Sequence, residues 1–269
     1  MSEVGTLIRH WRNARGLSQL ALAAGSVVSL RHLSFIETGR SSPSRTMVLK
    51  LAEVLDVPLR ERNSLLLAAG FAPVYPESAL DAPELAAVRG ALDVILAQQE
   101  PYPALVIDRD WNIRQVNGAA TRFFEFLQAG HDAAAPGPPN VLRRMFHPDG
   151  VRRYVTNWPE VCEALVRRVR REAIGGVTDE RAQTILREVL AYPGVPASLR
   201  SLDASTPTLP VIPIQYARDG RRFDYFSTVT TLGTAQDITL QELRIECFFP
   251  TNDLTRDHAR TLAAPASDR

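Results

Sequence analysis

The chain has 269 residues, of which 45% are hydrophobic and 23% are charged, and its formal net charge is +1. This length exceeds that of most single domains, so we expect two domains, and the composition is that of a globular protein rather than a disordered or fibrous one. No apolar run approaches the roughly 18 to 20 residues of a membrane helix, and we expect a cytoplasmic location. Cys162 and Cys247 lie far apart and outside any CxxC motif, so they imply neither a disulfide framework nor a zinc site.

The charge is distributed unevenly along the chain. Residues 1–75 contain nine Lys or Arg and five Asp or Glu, a balance of +4, which leaves −3 for the remainder because the total is +1. A basic small domain beside a mildly acidic larger one is typical of a polyanion-binding module joined to a second function. The N-terminal part is therefore the candidate for binding a polyanion.

Apolar spacing and capping residues predict five short helices in the first 70 or so residues. We expect them to begin at about Val4, Ser18, Ser29, Ser44 and Pro58, where serine caps a helix and proline opens one. The second and third helices are joined by a tight turn, and the third has a basic and polar outer face. This is the helix-turn-helix arrangement, in which the second helix of the pair enters the major groove of DNA.

The spacing from LSQ through LA to IETGR resembles the phage-repressor or XRE class of helix-turn-helix proteins over residues 4 to about 70. The resemblance implies a phosphate contact for Gln19. It further implies base contacts for Leu30, Arg31 and Phe35, since arginine can bond bidentately to guanine and an apolar side chain can meet a thymine methyl. The other candidate DNA contacts are Ser29, His32, Ser34, Arg40 and Arg45, the last two with the DNA backbone.

Two features of this region concern its structure more than its DNA contacts. The resemblance implies an internal ion pair at the positions of Arg12 and Glu37. The turn departs from the class, because Val27 stands where glycine is usual and the glycine comes earlier, at Gly25, which we expect to end the second helix. A β-branched residue resists positive φ, so Val27 leaves the angle between the two helices open.

The larger part follows a proline-punctuated linker at 76–83. A helix is predicted from about Glu84, and PALVIDRDWNIRQVN predicts two strands joined by a tight turn, followed by a helix in GAATRFFEFL. The middle is helical, with breaks at Asp149–Gly150 and Gly175–Gly176, and the end returns to strands in LPVIPIQYA, RRFDYFSTVTTLG and LQELRIECFFP. The fold prediction is α+β, with an all-α five-helix domain over residues 1–75, a PAS-like domain with an antiparallel sheet over 84–256, and a flexible tail over 257–269.

Such a sheet with helices against it can enclose an apolar cavity, although core packing explains the same aromatic residues without a ligand. The stretches RHLSFIETGRSSPSR, ERNSLLLAAGFAPVY, FHPDGVRRYVTNW and FFP resemble the MmyB-like transcriptional regulators of bacteria. The resemblance implies a PAS-like domain able to hold a fatty-acid-like molecule. Arg153 and Asn157 are the candidates for binding a carboxylate of the ligand. The alternative is that these two residues have only surface or capping roles. The candidate ligand contacts are Phe123, Phe124, Met145, Arg153, Tyr154, Asn157, Trp158 and Phe226.

No GxGxxG, P-loop, GxSxG or HExxH motif occurs, so no catalytic or metal-binding residue is predicted. We expect a bacterial sequence-specific transcription regulator and not an enzyme, which binds an operator as a homodimer and senses a small apolar ligand. No cofactor is expected apart from a bound fatty acid or similar molecule, and no membrane contact. The alternative is a DNA-tethered protein-interaction platform without a small-molecule ligand; a co-purifying protein would favour it, whereas a retained lipid would favour the sensor.

Overall fold

The computed structural model describes residues 2–26, 28–130, 139–174, 180–201, 211 and 213–264. It divides into two compact units. Of the described residues, the first contains those within Met1–Ser78, Ala173–Thr178 and Gly233–Gln241, and the second contains the others. In the residues described, no single helix is long and apolar enough to cross a membrane; the helices Gln19–Ser26 and Leu30–Thr38 meet those criteria only as a pair, and that pair is bent by 115°.

Five helices build the N-terminal part of the first unit, as the capping residues predict. They are α1 (Glu3–Ala14), α2 (Gln19–Ser26), α3 (Leu30–Thr38), α4 (Arg45–Val54) and α5 (Leu59–Ala68). The Ser29 hydroxyl accepts His32 N–H and the Ser44 hydroxyl accepts Met47 N–H, in the first turns of α3 and α4. Gly39 ends α3 in the left-handed conformation at φ 78°. The core contains Trp11, Leu33 and other apolar side chains from all five helices.

Close helix contacts in this core depend on two glycines. A side chain at Gly5 would overlap the carbonyl oxygen of Ile36, so glycine allows α1 to lie against α3. Gly25 does not end α2 as expected, because the helix continues to Ser26. A β-carbon on Gly25 would lie only 3.1 Å from a methyl carbon of Val54. The close approach of α4 therefore favours glycine at this position. Val27 lies outside the described residues.

The second unit begins with a 3-10 turn at Pro83–Leu85 and α6 (Ala86–Gln98). Its strands are β1 (Ala104–Ile107), β2 (Ile113–Val116), β3 (Pro213–Arg218), β4 (Arg221–Thr230) and β5 (Arg244–Pro250). Its other helices are α7 (Gly118–Gln128), α8 (Val141–Phe146), α9 (Trp158–Ile174), α10 (Glu180–Leu190) and α12 (Asp253–Ala263). Between β4 and β5 lies the short α11 (Ile238–Glu242), most of which belongs to the first unit.

The five strands form one antiparallel sheet in the order β2-β1-β5-β4-β3, which confirms the α+β prediction. In the β1–β2 turn the Asp108 carboxylate accepts the N–H groups of Asp110 and Asn112, both at 2.9 Å. At the end of β2 the buried Asn117 caps α7 by accepting Ala120 N–H at 2.8 Å. These local bonds fix the hairpin and the direction of α7.

The C-terminal region differs from the prediction. The tail expected from residue 257 is helical as far as Ala263, because α12 starts at Asp253 and Asn252 caps it by accepting Thr255 N–H. Ala259 and Thr255 are buried, so α12 is packed rather than frayed over these residues. The predicted break at Gly175–Gly176 and the start of the strand in LPVIPIQYA lie outside the described residues.

Candidate functional site

The predicted DNA-contact residues lie mainly on or next to α3. Arg31 is exposed and its guanidinium lies 5.4 Å from the ring centroid of the half-buried Phe35, one helical turn further on. Leu30, the first residue of α3, is 45% exposed although its side chain is apolar. The outer face of α3 thus offers a cation, an aromatic ring and an apolar side chain, which are groups that can meet base edges.

The remaining candidates surround this face. Ser29 is exposed and its hydroxyl accepts His32 N–H at 3.2 Å, so its observed role is to cap α3. Within the described residues the buried His32 Nε2 has no hydrogen-bond partner, and Ser34 is half-buried. Arg40 follows α3 and Arg45 opens α4, and both are exposed, as groups that bind phosphates would be.

Gln19 takes part in a buried network behind this face. Its amide donates to Glu37 Oε2 at 2.8 Å, and Arg12 donates to both carboxylate oxygens of Glu37, at 2.7 and 2.9 Å. Burial by itself would raise the pKa of Glu37, but the hydrogen bonds from Arg12 and Gln19 and the charge of Arg12 together lower it. The structure therefore contains the ion pair that the resemblance implied, and Gln19 joins α2 to it.

The second unit contains a narrow apolar cavity of about 40 Å³ between the sheet and the helices α7, α8 and α9. One side is formed by strand residues of β1, β2, β3 and β5, and the other by residues of the helices and of the segment after α8. The lining residues are Leu105, Ile113, Phe124, Val141, Arg144, Met145, Val151, Leu165, Ile214, Tyr216, Glu246 and Phe248. The described lining residues therefore all belong to the second unit, and most of them are apolar.

Arg144 is the one cation among these lining residues. Burial lowers the pKa of its guanidinium, and among the described residues we find neither an ion pair nor a hydrogen bond from this side chain. The neighbouring Arg143, in contrast, makes a bidentate ion pair with Glu188 at 2.7 and 2.9 Å. Two consecutive arginines of α8 thus differ sharply in environment.

Glu246 is the one acid among the described residues that line the cavity, and it is 7% exposed. It stands opposite Leu105 in the register of β5 and β1. One of its oxygens accepts the Ser227 hydroxyl at 2.7 Å, and the other lies 3.5 Å from an Arg168 nitrogen. Its charge is thus compensated from within the fold, unlike that of Arg144.

Two of the eight predicted ligand contacts, Phe124 and Met145, line the cavity. Phe123 instead lies in the core beside it, with edge-to-face contacts to Tyr216 at 5.2 Å and Tyr225 at 5.6 Å between ring centroids. Phe226 is stacked on Phe249 at 5.3 Å and does not line the cavity. Neighbouring aromatic residues therefore have different surroundings.

The four predicted contacts around residue 155 are engaged elsewhere. Arg153 is exposed and pairs with Asp149. Asn157 is bonded to β3, donating to Pro213 C=O at 2.9 Å and accepting Gln215 N–H at 3.0 Å. The Tyr154 ring lies 5.2 Å from the Arg218 guanidinium, and the Trp158 ring packs 5.1 Å from Phe146, in both cases away from the lining set.

Two patterns in the sequence could have identified cavity residues that were not among the predicted ligand contacts. Alternation along RIECFFP places Glu246 and Phe248 on one face of β5, which is the face that lines the cavity. In VLRRMF, Leu142, Met145 and Phe146 are buried, so an arginine between them is unusual. Spacing alone does not distinguish Arg144 from Arg143.

Comparison with known proteins gives matches in both units. Residues 88–262 match the family model described as the MmyB-like transcription regulator ligand binding domain, and residues 8–62 match a helix-turn-helix model. The chain is similar to the Uncharacterized HTH-type transcriptional regulator RghRB of Bacillus subtilis (strain 168), with 39% identity over 85 residues. That match covers 31% of this chain and 59% of the relative.

A solved structure entitled "Structure of an RNA-binding Light-Oxygen-Voltage Receptor" is similar at 14% identity, with 98% of this chain and 63% of that chain covered. Its TM-score of 0.27 is too low to support an argument about fold or function. The family match, in contrast, spans most of this chain. The chain belongs to the MmyB-like family of transcription regulators, with a helix-turn-helix domain followed by the family's ligand-binding domain.

Proposed function

We propose that this regulator binds its operator as a homodimer and changes its DNA affinity when an apolar molecule with an acidic head group enters the cavity, where Arg144 binds the head group. The observation that carries the proposal is the guanidinium of Arg144 in an apolar wall, with no acidic partner among the described residues. A buried charge is normally paired, because desolvation is costly. A ligand carboxylate would supply that pairing.

The size of the cavity indicates how a ligand acts on the domain. About 40 Å³ has room for roughly three water-sized groups, which is less than an acyl chain needs. A longer chain therefore requires the wall to move, and Met145, an unbranched side chain, can change rotamer most easily. A ligand that binds the widened state better shifts the population towards it.

A homodimer follows from the size of a single DNA-binding surface. One helix-turn-helix module contacts one half-site and buries a small area, whereas two-fold pairs contact half-sites about one helical turn apart. Native mass spectrometry of the protein on a duplex selected from a random pool gives the number of subunits. Two subunits per duplex are expected, and a single subunit on the selected duplex would contradict the dimer.

The test of the cavity compares even-numbered n-alkanoates from hexanoate to tetradecanoate with n-alkanols of the same length. Calorimetry should show that the acid binds roughly tenfold or more tightly than the alcohol, because a hydrogen bond to a charged group contributes about 1.5–3 kcal/mol. Arg144→Met should abolish this difference. Arg153→Met is the matched control, because Arg153 is exposed and paired with Asp149.

Three results would contradict the proposal. The first is equal affinity for acids and alcohols, and the second is loss of the acid preference in Arg153→Met rather than Arg144→Met. The third is the absence of binding by every alkanoate together with a stoichiometric co-purifying protein, which would favour the protein-interaction platform.

A further inference from the structure

A segment from the C-terminal half of the chain caps a helix of the first unit. The side-chain oxygen of Gln241 accepts Leu59 N–H at 2.7 Å. Leu59 is the first residue of α5, and the preceding Pro58 makes no side-chain cap. The first N–H groups of a helix have no acceptor within it, so Gln241 supplies the one that the local sequence lacks.

The same segment is held by a second anchor. Asp237 is 6% exposed, and its Oδ2 accepts Ser78 N–H at 3.0 Å while its Oδ1 accepts Thr239 N–H at 2.8 Å. Next to it, Ile238 N–H donates to Pro76 C=O at 2.8 Å, and the Ile238 side chain is 3% exposed. A buried carboxylate with backbone donors on both sides fixes where α11 begins.

The surface that receives this segment is itself fixed to α5. Asn63 accepts Val74 N–H at 3.0 Å and Tyr75 N–H at 3.2 Å, and donates to Tyr75 C=O at 2.8 Å. Arg60 and Glu77 add an ion pair one turn away. Residues 74–78, α5 and residues 237–241 therefore form one hydrogen-bonded group within the first unit.

Chain connectivity joins this group to the cavity. Residues 231–243 connect β4 to β5, and β5 carries Glu246 and Phe248, which line the cavity. Within the first unit α5 packs against α1, and α1 packs against α3, whose outer face holds the candidate base contacts. A displacement of β5 can therefore reach Gln241 through the few residues that join them along the chain. From Gln241 it can reach α3 through the packing of α5 against α1 and of α1 against α3.

We propose that Asp237 and Gln241 are positioning residues that transmit the state of the cavity wall to the DNA-binding helices. Displacement of β5 shifts the 237–241 segment, changes the cap on α5 and alters how α1 and α3 are held. That a ligand in the cavity displaces β5 rests on the proposed function. The transmission from β5 to the DNA-binding helices depends only on contacts within the chain. Gln241 can act in this way because its side chain meets Leu59 through a hydrogen bond, which can open without exposing a large apolar area.

The first test needs neither ligand nor DNA. Exchange of the Leu59 amide hydrogen in the full-length protein reports the Gln241 contact directly, because no acceptor within α5 protects that N–H. Gln241→Leu should speed this exchange at least tenfold, whereas Gln241→Glu, which keeps an acceptor, should leave it slow. Gln236→Leu is the matched control, because Gln236 lies exposed in the same connection.

The second part asks whether the cavity wall acts on this contact. Phe248→Leu enlarges the cavity at β5 and should speed Leu59 exchange at least threefold in the wild-type and Gln236→Leu backgrounds. It should cause no further change in the Gln241→Leu background. An unchanged Leu59 rate in Phe248→Leu would overturn the inference, and so would an effect of Phe248→Leu that persists in the Gln241→Leu background.

The last part distinguishes transmission from plain stabilisation. The ratio of DNA dissociation constants with and without the alkanoate should become 1 in Gln241→Leu, while alkanoate affinity stays unchanged and Gln241→Glu keeps the wild-type ratio. A Gln241→Leu ratio equal to that of the wild type would overturn the inference. If no alkanoate binds the wild type, the proposed function fails, and the exchange comparison still decides the transmission.

Discussion

Arg12 and Glu37 form a bidentate ion pair in the core of the DNA-binding unit, with donor to acceptor distances of 2.7 and 2.9 Å. The pair joins α1 to α3, and Gln19 at the start of α2 donates to the same carboxylate. Glu37 follows Ile36 near the end of the candidate base-contact helix, so this network holds α3 in place between the two preceding helices. Its disruption should therefore affect both stability and DNA binding.

Glu37→Gln should lower the free energy of unfolding of the DNA-binding unit by roughly 3–5 kcal/mol, because it leaves the Arg12 guanidinium buried without a charged partner. Urea unfolding followed by the assigned indole NMR signal of Trp11 measures the loss in this unit, because the chain also contains Trp111 and Trp158. Glu53→Gln is the control, since Glu53 forms an exposed pair with Lys50 and its loss should lower the stability far less than the loss of Glu37. Equal losses for the two variants would contradict the structural role of Glu37.

The same pair predicts a dependence of stability on pH. The folded state lowers the pKa of Glu37 below its unfolded value, which is about 4.3 for glutamate. The contribution to stability is therefore fully present above the unfolded pKa and is lost as the pH falls through the lower folded pKa. The difference in unfolding free energy between wild type and Glu37→Gln should shrink on acidification below about pH 4. A difference that stays constant from pH 7 to pH 3 would be inconsistent with this account.

Arg31→Ala should weaken binding to the selected duplex by roughly 1–3 kcal/mol and relax the preference at one base position, as expected for a direct base contact. The loss of the guanidinium also removes its contact with the Phe35 ring. Competition binding with duplexes substituted at each position measures the preference. The assignment would be wrong if specific and random DNA were weakened equally.

Arg40→Ala should weaken binding to all sequences to a similar extent, because the exposed Arg40 is assigned to a phosphate. The slope of log K against log salt should decrease in magnitude by about 1, since one fewer counterion is released. Titrations at four or more salt concentrations give the slope. A slope identical to that of the wild type would exclude a phosphate contact at this position.

The five helices could be predicted because their signals are local. The hydroxyls of Ser29 and Ser44 cap helices within three residues of themselves, and Gly39 ends α3 through its own backbone conformation. The contact of Gln241 with Leu59, in contrast, joins residues 182 positions apart. No periodicity or capping pattern near either residue indicates that a connection between two late strands belongs to the first unit.

The candidate ligand site shows the same division. The aromatic content of α7 pointed to the right helix, but Phe124 lines the cavity while its neighbour Phe123 packs in the core. Which of two adjacent side chains meets a cavity depends on helix rotation against the sheet, which is a tertiary property. Arg144 could not be separated from Arg143 for a related reason, because the partner of Arg143 is Glu188, on α10.

The most direct test of the account is the affinity of the protein for its selected duplex, measured by fluorescence anisotropy with and without a saturating n-alkanoate. We predict that the dissociation constant of the wild type changes at least fivefold, which is the lower end of typical allosteric coupling, and that Arg144→Met shows no change at the same alkanoate concentration. Identical dissociation constants for the wild type at saturating alkanoate would contradict the claim that ligand binding in this cavity controls DNA binding.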